Sequence, residues 1–152
     1  MTATIDTNVL VLAVHSSHPR QDRARALLDW VAAGPAVVHL FWPALMGFLR
    51  VVTHPSIFDR PLTPDDAIAA VDRLVDRPHV RVGGELEEFW TAYRRVADEV
   101  KPRGNLVPDA HLVALMHQHG VSTIWSNDRD LRKFGGITVK DPFDDRYATG
   151  FG

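Results

Sequence analysis

The chain has 152 residues, which is enough for one domain with a buried core and too few for two large ones. It contains no cysteine, which excludes disulfides, thiol nucleophiles and cysteine-based zinc sites. Its formal net charge of -2 at pH 7 excludes a protein-wide basic field, so any contact with nucleic acid must depend on a local patch.

Strand-like segments alternate with helix-like segments in the first half of the chain. Thr63 followed by Pro64 is typical of a helix start, because threonine caps the first turn and proline is tolerated there. Gly34 and Pro35 end the helix that precedes them. In chain order, the predicted elements are a strand over 3–5, helices over 8–15 and 18–33, a strand over 36–41, a helix from residue 43 and a helix over 64–77.

The alternation continues in the second half. Its predicted elements are a strand over 79–82, helices over 85–100 and 108–119, a strand over 122–125, a short helix within 126–134 and a strand over 137–139. Strands that alternate with helices predict an α/β fold, in which helices cover both faces of a parallel sheet. The residues after Asp141 are polar, and we expect them to fray.

No apolar segment predicts a membrane span. The uninterrupted apolar run over residues 9–14 is far below the roughly 20 residues that a bilayer requires. The first residues also lack the basic region of a signal peptide. We therefore expect no contact with a membrane and a cytoplasmic location, which the absence of cysteine also favours.

Aspartates follow two of the predicted strands. Asp6 comes directly after the first strand, and Asp128 closely follows the fourth. Asp109 lies near the start of the helix that leads into the fourth strand. Function in such sheets lies beyond the carboxyl ends of the strands. If the first and fourth strands are neighbours, these acids converge, and Asp130 can reach the same place. Taken singly, each could instead cap a helix or complement its dipole.

A group of three or four carboxylates predicts a bound cation. Two unit charges about 4 Å apart repel by roughly 4 kcal/mol near a protein surface, and a divalent ion relieves that repulsion. Oxygen ligands without cysteine favour Mg²⁺ or Mn²⁺ over zinc. A cation of this kind, with positions left for water, is suited to hydrolysis of a phosphodiester.

Three segments resemble one known family. "IDTNVL", "GNLVPDAHLVALMHQHG" and "IWSNDRDLRKF", in this order and at these spacings, resemble the PIN domain, and in particular the VapC-type toxins of bacterial toxin–antitoxin pairs. The resemblance runs over about residues 3–142. It implies a three-layer α/β/α fold around a mostly parallel sheet of five or four strands. It also implies one nuclease domain over 1–145, followed by a polar tail over 146–152.

The resemblance also implies an activity and partners. Such a protein is a Mg²⁺- or Mn²⁺-dependent endoribonuclease that cleaves structured RNA such as tRNA or rRNA and forms a homodimer. A cognate VapB-type antitoxin inhibits it through a groove near the early helices. Carried over to this chain, the metal ligands are Asp6, Asp109 and Asp128, and Asp130 is a further catalytic acid. Asn8 and Ser126 match positions that orient the acids or their waters.

Two basic groups lie on segments predicted to adjoin the acids. Lys101 and Arg103 precede Asp109, and Arg129 and Arg132 follow Asp128. They are candidates for binding RNA phosphates, or else solvated surface charges.

One position departs from the family pattern. Many PIN domains carry a glutamate on the helix after the second strand, where this chain has Gly47. This leaves open an alternative function, a catalytically weak PIN-like module that binds RNA or a protein partner. A phosphohydrolase acting on small molecules, with Asp6 as nucleophile, is disfavoured because no second aspartate stands two residues after Asp6.

Overall fold

Five parallel strands form the centre of the molecule. The structure is a computed structural model and describes residues 2–152. The strands are β1 Ala3–Ile5, β2 Val38–Phe41, β3 Val80–Gly83, β4 Thr123–Trp125 and β5 Thr138–Lys140. They lie in the order β3-β2-β1-β4-β5, and every neighbouring pair is parallel. The predicted α/β class is confirmed, with five strands rather than four.

Within residues 2–152, six α-helices pack on the two faces of the sheet. They are α1 Thr7–Val14, α2 Gln21–Ala33, α3 Trp42–Val52, α4 Pro64–Val75, α5 Phe89–Val100 and α6 Leu106–His119, with 3-10 helices at Arg129–Lys133 and Asp145–Tyr147. The predicted cap of α4 is confirmed, because the Thr63 hydroxyl accepts a hydrogen bond from the backbone N–H of Asp66 at 3.1 Å.

The predicted start of the fifth helix at residue 85 is wrong. The helix begins at Phe89, since Glu88 adopts a left-handed conformation with φ of 62°. The preceding loop is held by Gln118 of α6, whose Oε1 accepts from Leu86 N at 3.1 Å and whose Nε2 donates to Glu87 O at 2.9 Å. A residue about thirty positions away along the chain therefore fixes this boundary.

The sheet separates two hydrophobic cores. Helices α1 to α4 contribute to the core on one face, and α5 and α6 contribute to the core on the other. Successive residues of β4 point to opposite faces, so Ile124 packs in the α5–α6 core and Trp125 in the opposite core. The fold is therefore the three-layer α/β/α arrangement.

The last residues are docked, and the predicted fraying is wrong. Arg23 Nη1 of α2 donates to Pro142 O and to Asp144 O, each at 3.1 Å. Phe151 is only 7% exposed and packs against Trp125. Two aromatic residues, Tyr147 and Phe151, anchor a segment whose composition is otherwise polar. Within residues 2–152, no helix is long and apolar enough to cross a membrane.

Candidate active site

Neighbouring strands bring Asp6 and Asp128 to the same edge of the sheet. Strand β1 pairs with β4, as the convergence of the acids requires. The backbone N–H of Asp6 continues this pairing by donating to Trp125 O at 3.0 Å. Asp6 is 8% exposed, so its carboxylate is largely withdrawn from solvent.

Ser126 connects these two acids. Its hydroxyl donates to Asp6 Oδ2 at 2.7 Å and accepts from the backbone N–H of Asp128 at 3.0 Å. The other Asp6 oxygen, Oδ1, accepts from Thr7 N at 2.8 Å. Ser126 is 1% exposed, and its own N–H donates to Lys140 O at 2.9 Å. Each oxygen of Asp6 therefore has a fixed donor.

Helix capping and membership of the site apply to the same residues. Asp6 is the N-cap of α1, and Asp128 Oδ1 accepts from Asp130 N at 2.9 Å at the start of a 3-10 helix. A helix start is electropositive and stabilises a carboxylate there. Asp6 and Asp128 can therefore cap a helix and belong to the site at the same time.

Asp109 completes the group from the first turn of α6. It is partly buried, and burial is the main cause that raises the pKa of its carboxyl to about 6. The negative charges of Asp128, Asp6 and Asp130 raise it further, in that order. Burial likewise raises the pKa of Asp6, while the hydrogen bonds from Ser126 and Thr7 act in the opposite direction. The four aspartates thus share one electrostatic environment.

Two predicted residues lie at the periphery of this group. Asp130 is exposed, forms an ion pair with Lys133 at 3.0 Å, and has the weakest effect of the three neighbours on Asp109. Asn8 is exposed on the first turn of α1, and its side chain makes no hydrogen bond to another of residues 2–152.

Gly47 lies against the residue that follows Asp6. A Cβ at this position would lie 3.2 Å from Thr7 Oγ1 and 3.3 Å from Thr7 Cγ2. The Thr7 hydroxyl donates to Ala44 O of α3 at 3.0 Å, which fixes this side chain in place. Thr7 therefore occupies the space into which a larger side chain at position 47 would project.

The basic residues divide into two groups. Arg129 and Arg132 line a polar cavity of about 190 Å³ together with Asp128, Asp141 and Asp144. Lys101 and Arg103 are exposed, and Lys101 lies 4.0 Å from Asp98. No contact between these two and the acids is found in the described part of the chain.

The donor set fits a hard divalent cation in charge and chemistry. These side chains offer oxygen atoms, and burial, followed by the charges of the neighbouring acids, raises the pKa of Asp109. Between residues 2 and 152, no three histidine, aspartate or glutamate side chains form a group that could hold a metal ion. The acids are therefore near one another without closing into a complete set of metal ligands.

Two residues beside the candidate site, Thr7 and Asp141, were not predicted from the sequence. Thr7 was missed, although a hydroxyl residue directly after a strand-end aspartate is a detectable signal. Asp141 was missed as well, although it follows the fifth strand at the same edge as the acids. The contact between Thr7 and Gly47 has no such signal, because it depends on how closely α1 and α3 approach.

Comparison with known proteins agrees with this geometry. The family model described as "PIN domain" matches residues 3–137. Ribonuclease VapC48 of Mycobacterium tuberculosis is 56% identical over 143 residues, which cover 94% of this chain and 99% of that protein. Ribonuclease VapC43 of the same organism is 34% identical over 140 residues, 92% of this chain and 95% of that protein.

Solved structures share the fold at low sequence identity. The structure of VapBC2 from Rickettsia felis, bound to a DNA fragment from their promoter, matches with a TM-score of 0.67 at 14% identity. The match covers 92% of this chain and 98% of that chain. These values show that the two chains share a fold.

Proposed function

This chain belongs to the PIN-domain family, within its VapC branch, and on that premise we propose that it is a Mg²⁺- or Mn²⁺-dependent endoribonuclease toxin. The observation that carries the proposal is the coupling of Asp109 to Asp6 and Asp128, which Ser126 holds together. Three convergent carboxylates suit a phosphodiester hydrolase better than they suit a site that binds an anion directly.

The proposed roles of the acids follow from their environments. Asp6, Asp109 and Asp128 would hold the divalent ion, which when bound supplies an activated water and offsets charge on the leaving oxygen. Ser126 and Thr7 orient the two oxygens of Asp6 by hydrogen bonding. Without a bound cation, burial and the neighbouring acids raise the pKa of Asp109 to about 6.

We propose structured RNA, such as tRNA or rRNA, as the substrate. One structural neighbour, VapC20 of Mycobacterium tuberculosis, is a toxin that cleaves the sarcin-ricin loop. In this chain Arg129 and Arg132 lie beside Asp128, where they can bind phosphates that flank the cleaved bond.

We propose a VapB-type antitoxin as the inhibitory partner. A groove of about 400 Å³ runs between α1, α2 and α4, with an apolar floor that includes Leu10, Leu28 and Phe48. Arg25 and Arg73 also line it, so it suits an apolar segment that carries acidic residues. For the proposed homodimer, Trp42 and Met46 offer exposed apolar area on α3, at 47% and 49% exposure.

A cleavage assay tests the proposal. Purified protein is incubated with total RNA in Mg²⁺ or Mn²⁺, and in parallel with a chelator. We expect discrete fragments that require the metal and that disappear in Asp6→Asn, while Asp65→Asn, a change at an exposed acid on α4, retains them.

The same assay tests the second candidate, a catalytically weak binding module, which Gly47 favours because the helix after β2 carries no acid. RNA binding that survives chelation, without any fragments, would support that module and contradict the nuclease.

A further inference from the structure

An aromatic cluster lies directly behind the candidate active site. Trp125, the last residue of β4, packs edge-on against Phe151 at 5.5 Å, Tyr147 at 5.0 Å and Trp30 of α2 at 6.2 Å between ring centroids. Two of these partners, Tyr147 and Phe151, belong to the segment over residues 141–151. We call Trp30, Trp125, Tyr147 and Phe151 the aromatic anchor.

The backbone at Trp125 is joined to the acids. Its carbonyl accepts the N–H of Asp6 at 3.0 Å, and the next residue is Ser126, which bridges Asp6 and Asp128. Trp125 itself is 1% exposed, so the position of its ring is fixed by the side chains packed around it. Ser126, which connects two of the acids, therefore directly follows a residue whose ring is tightly enclosed.

The segment that supplies the anchor is itself fastened at several points. Arg23 Nη1 binds Pro142 O and Asp144 O, and Lys140 Nζ lies 5.5 Å from the centroid of the Trp125 ring. Phe151 completes the enclosure and is 7% exposed, next to a glycine that is exposed. Phe151 is therefore a buried aromatic side chain that packs against the last residue of β4, directly before Ser126.

We propose that Phe151 is a positioning residue for the active site, which it serves by holding Trp125 so that Asp6, Ser126 and Asp128 keep their relative placement. The inference rests on the proposed nuclease function and adds a residue from outside the region that the family model matches, residues 3–137. Hydrogen-bond partners of metal ligands typically change metal affinity or activity by about 10- to 100-fold when removed, and for Phe151, which acts through Trp125, we expect an effect at the low end of that range.

The test separates positioning from ordinary core packing. Phe151→Ala is compared with Phe58→Ala, which removes the same side chain from the same core at a similar burial of 4%. Phe151→Leu refills most of the volume and serves as a conservative variant that keeps the fold. Each full-length protein is titrated with Mn²⁺ alone by electron paramagnetic resonance, and its kcat and KM for RNA are measured.

We expect Phe151→Ala to weaken Mn²⁺ binding by about tenfold and to lower kcat at nearly unchanged KM. Phe151→Leu should recover most of both, and Phe58→Ala should change neither at a temperature where all variants are folded. Equal Mn²⁺ affinity in Phe151→Ala and the unmodified protein, or an equal loss in Phe58→Ala, would overturn the positioning role.

A second measurement distinguishes failure of this inference from failure of the nuclease proposal. Amide hydrogen exchange at Asp6 and Asp128 reports their bonds to Trp125 O and Ser126 Oγ without requiring activity. If the unmodified protein neither binds Mn²⁺ nor cleaves RNA, the nuclease proposal fails. Faster exchange at these amides in Phe151→Ala, with no change in Phe58→Ala, would then still support the anchor, and unchanged exchange would reject it.

Discussion

Asp6 and Asp109 are the same chemical group in opposite situations within one site. Both oxygens of Asp6 accept hydrogen bonds, from Thr7 N and from Ser126. The Asp109 carboxylate accepts none from the rest of residues 2–152, and burial with three like charges raises its pKa to about 6. One half of the site is therefore preorganised by hydrogen bonds, whereas in the other half burial and three like charges disfavour the ionised form of Asp109.

Substitution of Ser126 should have the largest effect on the hydrogen-bonded part of the site, which contains Asp6 and Asp128. We expect Ser126→Ala to lower kcat for RNA cleavage by about 10- to 100-fold, because Asp6 loses a donor and Asp128 N loses its acceptor. The free energy of unfolding should fall by about 1–3 kcal/mol as buried polar groups lose partners. Urea denaturation and single-turnover kinetics measure the two effects. Ser56→Ala, a change at an exposed serine, is the control, and an equal result in both variants would contradict the role of Ser126.

Substitution of Asp109 should change the free energy of unfolding in the opposite direction. Asp109→Asn removes one of the repelling charges, so we expect it to abolish cleavage and yet to raise the free energy of unfolding at pH 7.5 by about 1 kcal/mol after solvent screening. Asp22→Asn, at an acid on the surface of α2, should leave both quantities almost unchanged. A loss of stability in Asp109→Asn would mean that its carboxylate is not under repulsion.

The difference in stability between Asp109→Asn and the unmodified protein should depend on pH, because the pKa of Asp109 is raised. A carboxyl whose pKa rises on folding, from 3.8 to about 6, binds its proton more tightly in the folded state. Its favourable contribution to stability is therefore full below pH 3.8 and is lost as the pH rises to 6. The excess stability of Asp109→Asn should accordingly grow between pH 4 and pH 6 and level off above it. Thermal unfolding at several pH values, without added metal, measures this trend, and a flat difference would contradict it.

These contrasts also mark what the sequence can predict. Asp6 and Asp128 are identifiable because each follows a strand, and parallel strands end at one edge. The start of α5 was mispredicted because Gln118 sets it from another helix. The docking of the last residues was missed because Phe151 gains its role only by packing on Trp125. Local patterns do not record contacts that tertiary packing creates.

Substitutions at Gly47 and Thr7 should have the smallest effect on stability, and they test how closely the side chains pack next to Asp6. Alanine is favoured over glycine within a helix by roughly 0.5–1 kcal/mol, but here its Cβ would meet Thr7 Oγ1 at 3.2 Å. We expect Gly47→Ala to be nearly neutral alone and to stabilise by roughly 0.5 kcal/mol in a Thr7→Ala background, where the nearest atoms are removed. Urea denaturation of the double-mutant cycle measures the coupling. Strict additivity would show that Thr7 does not restrict position 47.

The convergence of the acids on a cation is tested most directly by crystals grown with Mn²⁺ and measured for anomalous scattering. We expect one or more anomalous peaks between the carboxylates of Asp6, Asp109 and Asp128, and their loss in crystals of Asp6→Asn. A structure at saturating Mn²⁺ with no peak there, or with peaks only elsewhere on the molecule, would contradict the proposed metal site.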